Sequence, residues 1–134
     1  VPDVLTEGQD LTLVTYGPNV RYAQEAIERL EYLPETIELI DVQTLIPFDT
    51  EGVILNSLKK TNRVLFVDED VPGGSTAYMM QKVLDEQGGY YYLDAKPRCL
   101  SASDHRTPFG SDGDYFAKPQ VEDIVEAILE VLQE

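Results

Sequence analysis

The sequence is poor in the residues from which self-contained catalytic and metal sites are most often built. Among 134 residues it has one cysteine, one histidine and no tryptophan. The single cysteine, Cys99, excludes an internal disulfide and a zinc site with several cysteine ligands. Because Cys99 lies between Arg98 and Leu100 in a short apolar run, we predict that it is a small core residue rather than a nucleophile.

Basic residues are scarce as well. Ten Lys and Arg stand against 25 Asp and Glu, which gives a formal charge of −15 at pH 7. This excess repels phosphates, so we predict that the protein binds neither nucleic acid nor an anionic membrane surface. A basic protein partner is favoured electrostatically. The alternative is that the acids only keep the surface soluble.

No segment approaches the ~18 consecutive apolar residues that a membrane-spanning helix needs, and no secretory leader is recognisable. We therefore expect a soluble, cytoplasmic protein. With 43% hydrophobic residues the chain can form a core, and its length fits one domain over 1–134, since domains cluster at roughly 100–150 residues. Because Val1 rather than methionine opens the sequence, we expect a processed chain or a fragment of a longer one.

Hydrophobic periodicity alternates between strand-like and helix-like segments. The predicted strands are 11–16, 37–42, 63–67 and a short one around 98–100. The predicted helices cover 20–33, a short segment that begins near Val53 and has Lys59 and Lys60 near its C-terminal end, a segment after Ser75, and 121–132. Four alternations indicate an open α/β sheet with right-handed crossovers. The run 63–67 is apolar at successive positions, as in a strand that helices cover on both faces.

Turn and capping residues predict where these helices begin and end. Asn19 follows a Gly-Pro turn and can cap the first helix, which should end before Pro34. Asp49 or Thr50 can cap the second helix, and Gly88-Gly89 should end the third. The predicted inward face of the third helix consists of Ala77, Met80, Val83 and Leu84.

Two glycine-containing turns are candidate phosphate sites. The turn after the first strand has one glycine, Gly17, so the Gly-x-Gly-x-x-Gly fingerprint of dinucleotide binding is missing. The segment from Pro72 to Ser75, with Gly73 and Gly74, could form an anion-binding nest at a helix N-terminus. It lacks the lysine and spacing of a Walker loop, so a tight loop-to-helix turn is the favoured interpretation.

The remaining candidates lie in the polar stretch after residue 100. His105 has Ser103 and Asp104 beside it, but sequence neighbours seldom meet with the geometry of a catalytic triad. His105 stays a possible ligand contact in a larger assembly. Asp112 and Asp114 resemble part of a calcium loop without its twelve-residue pattern. From the residues alone we predict no catalytic, cofactor-binding or metal site.

Several segments in order resemble the C-terminal domain of the beta subunit of thiamine-diphosphate-dependent 2-oxoacid dehydrogenases, a member of the transketolase C-terminal domain family. Asp41-Val-Gln-Thr-Leu-Ile-Pro-Phe-Asp49 is similar to that family's Asp-Leu-Arg-Thr-Ile-x-Pro-x-Asp. The run from Ser57 to Glu69 is similar to its Ser-x-x-Lys-Thr-x-Arg segment and following strand, and Gly73-Gly74 matches its helix start. Leu93-Asp-Ala-Lys-Pro-Arg98 resembles Leu-Asp-Ala-Pro-x-x-Arg with the proline displaced.

The resemblance implies a three-layer α/β/α fold with a five-stranded mixed, mostly parallel sheet, in which 4–7 form a first strand antiparallel to the others. It implies that thiamine diphosphate and magnesium are bound in the full enzyme by the alpha subunit and the beta N-terminal domain, not by this domain. The implied partners are those parts, a second beta subunit, and the basic subunit-binding domain of a lipoyl acyltransferase core.

For individual residues, the resemblance implies partner docking at Asp94 and at the end of the last helix, from Glu130 to Glu134. The alternative for Asp94 is a solvated acid at a strand entry. Glu69 and Gly74 match the family pattern as structural positions. No catalytic residue is expected, and we expect the isolated domain to be inactive.

Two segments depart from the family pattern. Gln43 replaces the usual arginine, so an ion pair at that position is lost or rebuilt. The loop after the last strand, 104–117, differs from the family's Asp-x-Pro-x-Pro-Tyr-Ala segment, which leaves the oxo acid and the partner geometry open. Thr107-Pro-Phe109 resembles the branched-chain type, which we favour slightly over the pyruvate type.

Two other interpretations stay open. The chain could be the corresponding domain of a transketolase or a deoxyxylulose-phosphate synthase. It could also be a free-standing α/β regulatory module in which Gly73-Gly74 and His105 line a small-anion pocket.

Overall fold

The computed structural model describes residues 3–17, 19–42, 52–67, 75–100 and 121–133. In chain order, the elements are β1 (Asp3–Thr6), β2 (Leu11–Thr15), α1 (Asn19–Arg29), β3 (Ile37–Asp41), α2 (Val53–Thr61), β4 (Val64–Val67), α3 (Ser75–Met80), β5 (Arg98–Leu100) and α4 (Val121–Gln133). A π-helical turn, Gln81–Glu86, continues α3, and a 3-10 turn, Gly89–Tyr92, follows it.

The five strands form one sheet in the order β1-β3-β2-β4-β5. β1 runs antiparallel to β3, and the other neighbouring pairs are parallel. The predicted five-stranded mixed sheet with an antiparallel first strand is therefore confirmed. β2 lies at the centre, where Leu13 pairs with Leu39 on one side and with Leu65 on the other.

Helices cover both faces of this sheet and bury two separate apolar clusters. The first cluster joins α1 and α4 to one face of the sheet, and the second joins α2 and α3 with its π-helical turn to the other. Side chains alternate between faces along a strand, so Leu13 enters the first cluster and Val14 the second. All residues of β2 and β4 are consequently buried, as the apolar pattern of 63–67 predicts.

Two buried threonines in β2 require hydrogen-bond partners because they are removed from water. The hydroxyl of Thr12 lies 2.7 Å from the Ser57 hydroxyl and 2.6 Å from the Thr61 hydroxyl, both on α2. The hydroxyl of Thr15 donates to the carbonyl of Val67 at 2.8 Å. These bonds tie the central strand to α2 and to the end of β4.

Glu38 of β3 is a buried acidic residue close to the same helix, α2. Its carboxylate accepts a hydrogen bond from the backbone N–H of Gly8 at 3.1 Å and contacts the ammonium of Lys60. Gly8 fits because a side chain there would collide with the backbone of Ile37 at 2.3 Å. Burial by itself raises the pKa of Glu38, but hydrogen bonds from Lys60, Ser57 and Gly8 outweigh burial and hold that pKa below its ordinary value.

The start and end of α1 differ from the prediction. The helix ends at Arg29 rather than before Pro34, and the chain continues in tight turns in which Leu30 and Leu33 donate to carbonyls three residues earlier. Asn19 is the first helical residue and not a cap. Its buried Oδ1 accepts no hydrogen bond within the described part of the chain, because a capping side chain must precede the helix to reach its free N–H groups.

The predicted ends and inward face of the next two helices were only partly correct. Asp49 and Thr50 lie outside the described residues, and Gly52, at φ 70°, precedes α2. On the third helix Met79 is fully buried, whereas Met80 is half-buried. Val83 and Leu84 are buried as predicted, and Met80 packs against the same cluster although Met79 is more deeply buried. The side chain of Ala77 lies outside what the structure describes. Gly88 ends the segment as predicted, at φ 78°.

Cys99 is half-buried against the second cluster, with its sulfur 2.8 Å from that of Met80. Cys99 therefore packs at the edge of the core rather than within it, as the core prediction had it. Over the described ranges, no helix has the length and apolar character needed to cross a bilayer.

Replacement of Glu38 by Gln should lower the free energy of unfolding by about 2 kcal/mol at pH 7, because Lys60 loses its charged partner. Since the folded-state pKa is lowered, this contribution should be complete above about pH 4.5, the ordinary value. It should disappear as the pH falls through the lower folded-state pKa. Urea unfolding between pH 3 and pH 7 measures the difference. Glu28→Gln, at an exposed position of α1, is the control and should change little; an equal loss in both variants would contradict the assignment.

Candidate docking site

Several residues that the sequence singles out lie outside the described ranges. These are His105, Gly73, Gly74 and Glu134, together with the Asp112 and Asp114 pair. Their predicted roles stay predictions. Asp94 and Glu130 are described, and the structure places both near the first residue of β5.

Asp94 lies in an open groove of about 390 Å³ just before β5. Its side chain is exposed, and no basic group of the described residues forms an ion pair with it. The groove is lined by Tyr90, Leu93, Asp94, Ala95, Lys96 and Pro97. An exposed, uncompensated carboxylate beside apolar side chains suits a partner that brings both a positive charge and an apolar surface.

The backbone of Asp94 is held by the residue that ends α2. Asn62 has a left-handed conformation at φ 63°, which asparagine tolerates better than most residues. Its carbonyl accepts from the N–H of Asp94 at 2.8 Å, and its side-chain amide donates to the carbonyl of Tyr92 at 2.6 Å. The groove is therefore built on a helix end and not on a free loop.

Gly88 and Gly89 shape the turn that precedes Asp94. A side chain at Gly89 would lie 2.7 Å from the carbonyl oxygen of Val83 and 3.1 Å from a methyl of Leu58. This close approach brings the 3-10 turn against the helices of the second cluster and projects Tyr90 and Tyr91 outward.

Glu130 lies near the end of α4 and forms an ion pair with Arg98 at 3.1 Å. The two residues belong to a second open groove, of about 430 Å³, between α4 and β5. It is lined by Arg98, Cys99, Leu100, Asp123, Glu126, Ala127 and Glu130. Unlike Asp94, Glu130 already has a cation, so its predicted docking role requires Arg98 to be shared or displaced.

The exposed face of α4 carries acids and no base, as predicted. Glu122 in its first turn pairs with Arg29 of α1 at 3.4 Å. The pKa of Glu122 is lowered, mainly by a backbone hydrogen bond and to a smaller extent by Arg29. Glu126 and Glu130 continue the acidic face, and Glu130 reaches Arg98 at the start of β5.

The structure supports no alternative metal or nucleophile site in the part that it describes. Within those ranges, no three His, Cys, Asp or Glu side chains come together as metal ligands. Cys99 packs between the second cluster and the α4 groove and contacts the sulfur of Met80.

Sequence reasoning missed the three tyrosines that precede Asp94. All three lie on the 3-10 turn, and Tyr90 lines the Asp94 groove. The adjacent Gly88-Gly89 was the available signal, because two glycines before three aromatic residues indicate a tight turn rather than a strand.

A family model described as "Transketolase, C-terminal domain" matches residues 3–124. Among curated proteins, the chain is 34% identical over 128 residues to the mitochondrial pyruvate dehydrogenase E1 component subunit beta of Saccharomyces cerevisiae, covering 94% of this chain and 34% of that protein. It is 32% identical over 133 residues to the pyruvate dehydrogenase E1 component subunit beta of Rickettsia felis, covering 96% and 39%. The chain thus spans between about a third and two fifths of these relatives.

Two solved structures share the fold. A protein described as a split gene transketolase, inactive beta4 tetramer, superposes with a TM-score of 0.72 at 24% identity, covering 99% of this chain and 41% of that chain. The 2-oxoglutarate:ferredoxin oxidoreductase from Magnetococcus marinus gives a TM-score of 0.63 at 14% identity, covering 99% and 19%. At these identities the two matches establish the fold alone.

Replacement of Gly89 by Ala should destabilise the chain by about 1–3 kcal/mol, because the new Cβ requires the Val83 backbone or Leu58 to move. Thermal unfolding followed by circular dichroism measures the loss. Gly17→Ala is the comparison, since φ is unfavourable there at 65° but the space is open, and a cost of only about 1–2 kcal/mol is expected. A larger loss at Gly17 than at Gly89 would contradict the close packing of the turn.

Proposed function

The chain belongs to the transketolase C-terminal domain family, and on that premise we propose that it is the C-terminal assembly and docking domain of a thiamine-diphosphate-dependent 2-oxoacid dehydrogenase. The parent enzyme decarboxylates a 2-oxo acid and transfers the acyl group to lipoamide. The identity of 32–34% to pyruvate dehydrogenase E1 beta subunits over more than nine tenths of this chain supports that parent.

The observation that carries the docking role is the exposed carboxylate of Asp94. It has no cationic partner among the described residues, its backbone is held by Asn62, and it lies in a groove with apolar walls. The Asp94 carboxylate and the apolar walls suit a basic domain of the lipoyl acyltransferase core, whose Lys or Arg would pair with Asp94. We extend the docking surface to Glu130 and Glu134 at the end of α4, and keep His105 as a possible ligand contact in the full enzyme.

Thiamine diphosphate and magnesium belong, in this proposal, to the remainder of the parent enzyme. The family resemblance supports this assignment, and the described residues bring no three metal-ligating side chains together. The proposed partners are therefore the alpha subunit, the beta N-terminal domain and a second beta subunit. This domain packs those parts together and contributes no group to the chemistry.

The oxo acid is proposed from the relatives. Their names support pyruvate, whereas the branched-chain alternative rests on Thr107-Pro-Phe109, which lies outside the described residues. The compartment stays a proposal too: we place the protein in the cytoplasm, although the yeast relative is named as mitochondrial. A transketolase parent is the second candidate, supported by the match to the family model described as "Transketolase, C-terminal domain".

Replacement of Asp94 by Lys in the assembled parent enzyme should weaken binding to the acyltransferase's isolated subunit-binding domain on the order of tenfold to a hundredfold, because attraction becomes repulsion. Surface plasmon resonance measures the affinity, and native mass spectrometry checks that the assembly is intact. Glu28→Lys changes the charge equally on an exposed part of α1 and serves as the control. Unchanged affinity for Asp94→Lys would remove docking from this groove.

The isolated chain should show no binding to thiamine diphosphate with magnesium, to inorganic phosphate or to pyruvate at millimolar concentrations. The reason is that the proposed cofactor and substrate contacts lie elsewhere in the parent. Isothermal titration calorimetry tests this expectation. Saturable binding of phosphate or a 2-oxo acid would instead support the free-standing anion-binding module.

A further inference from the structure

Two neighbouring tyrosines are exposed beside the Asp94 groove. Tyr91 is 90% exposed and Tyr90 is 64% exposed, both on the short 3-10 turn. Exposed aromatic side chains that project from a well-packed turn lose little conformational entropy on binding, and tyrosine is enriched among residues that dominate interface energies. The underlying turn is held by the close packing of Gly89 against Val83.

The chain uses other tyrosines of this layer to bind its own cations. The ammonium of Lys59 lies 5.5 Å from the ring centroid of Tyr92, and that of Lys82 lies 5.6 Å from the centroid of Tyr78. A cation over an aromatic face is attracted by the ring quadrupole. Within the described residues no Lys or Arg lies over Tyr90 or Tyr91, so these two rings are available to a cation from outside.

Tyr90 lines the same groove as Asp94. A carboxylate beside an aromatic face is a suitable receptor for a guanidinium or ammonium group. The carboxylate pairs with the positive charge, while the ring packs against the less hydrated face of the cation. The chain's formal charge of −15 favours a basic occupant. Lys96 in the same groove disfavours a run of cations, so the fitting ligand presents one or two separate basic side chains.

We infer that the rings of Tyr90 and Tyr91 bind Arg or Lys side chains of the basic partner that docks at Asp94. This inference rests on the proposed docking function and adds which residues recognise the partner. The two tyrosines act through their aromatic faces, and Asp94 supplies the formal charge.

The test compares three double variants at positions 90 and 91 in the assembled parent enzyme, with the acyltransferase's isolated subunit-binding domain as the probe. Tyr→Ala at both positions should weaken binding about tenfold. Tyr→Leu retains apolar area without a quadrupole and should weaken it similarly. Tyr→Phe retains the aromatic face and should stay within about threefold of wild type. Tyr32→Ala, at a position 74% exposed after α1, is the matched control and should have no effect.

Each other outcome overturns the inference in a distinguishable way. If Asp94→Lys weakens binding and Tyr→Ala does not, docking stands and the tyrosines are bystanders. If Tyr→Leu binds as well as Tyr→Phe, the contact is apolar rather than cationic. If Tyr→Ala changes the subunit composition seen by native mass spectrometry, the rings belong to a subunit interface. If the unmodified enzyme does not bind the probe, the proposed docking function fails first.

Discussion

The rest of the structure depends on the complete burial of the central strand, β2. Its backbone pairs with β3 on one side and with β4 on the other, and helices cover both faces. A buried strand of this kind tolerates polar side chains only if they are hydrogen-bonded. Thr12 and Thr15 meet that requirement through α2 and β4, and the Thr12 bonds join α2 of the second helical layer to the central strand.

The candidate docking groove is a direct extension of that packing. Thr61, which bonds to Thr12, is the last residue of α2. The next residue, Asn62, ends the helix and holds the backbone at Tyr92 and Asp94. A surface built on a helix end can present a carboxylate with little loss of conformational freedom, which is the condition under which one charge contributes measurably to recognition.

Much of the fold was predictable because strong periodicity coincided with clear turn residues. The apolar face of α4 and the uninterrupted apolar run of β4 were both identified correctly, whereas the first strand, β1, was expected only from the family resemblance. The errors came mainly at helix ends. Leu33 continues the helical spacing of α1 although the hydrogen bonds change to tight turns, because spacing along the chain does not report hydrogen-bond geometry.

For the candidate site, the sequence by itself determined that position 94 carries an acid, that one face of α4 is acidic, and that the chain has a single cysteine. These properties depend only on which residues are present and at what spacing. Only the tertiary structure decided that Glu130 is paired with Arg98 while Asp94 has no cation from the described residues, and that Tyr90 shares the Asp94 groove. Ion pairing depends on the distance between side chains that belong to separate layers of the fold. No local pattern in the chain encodes that distance.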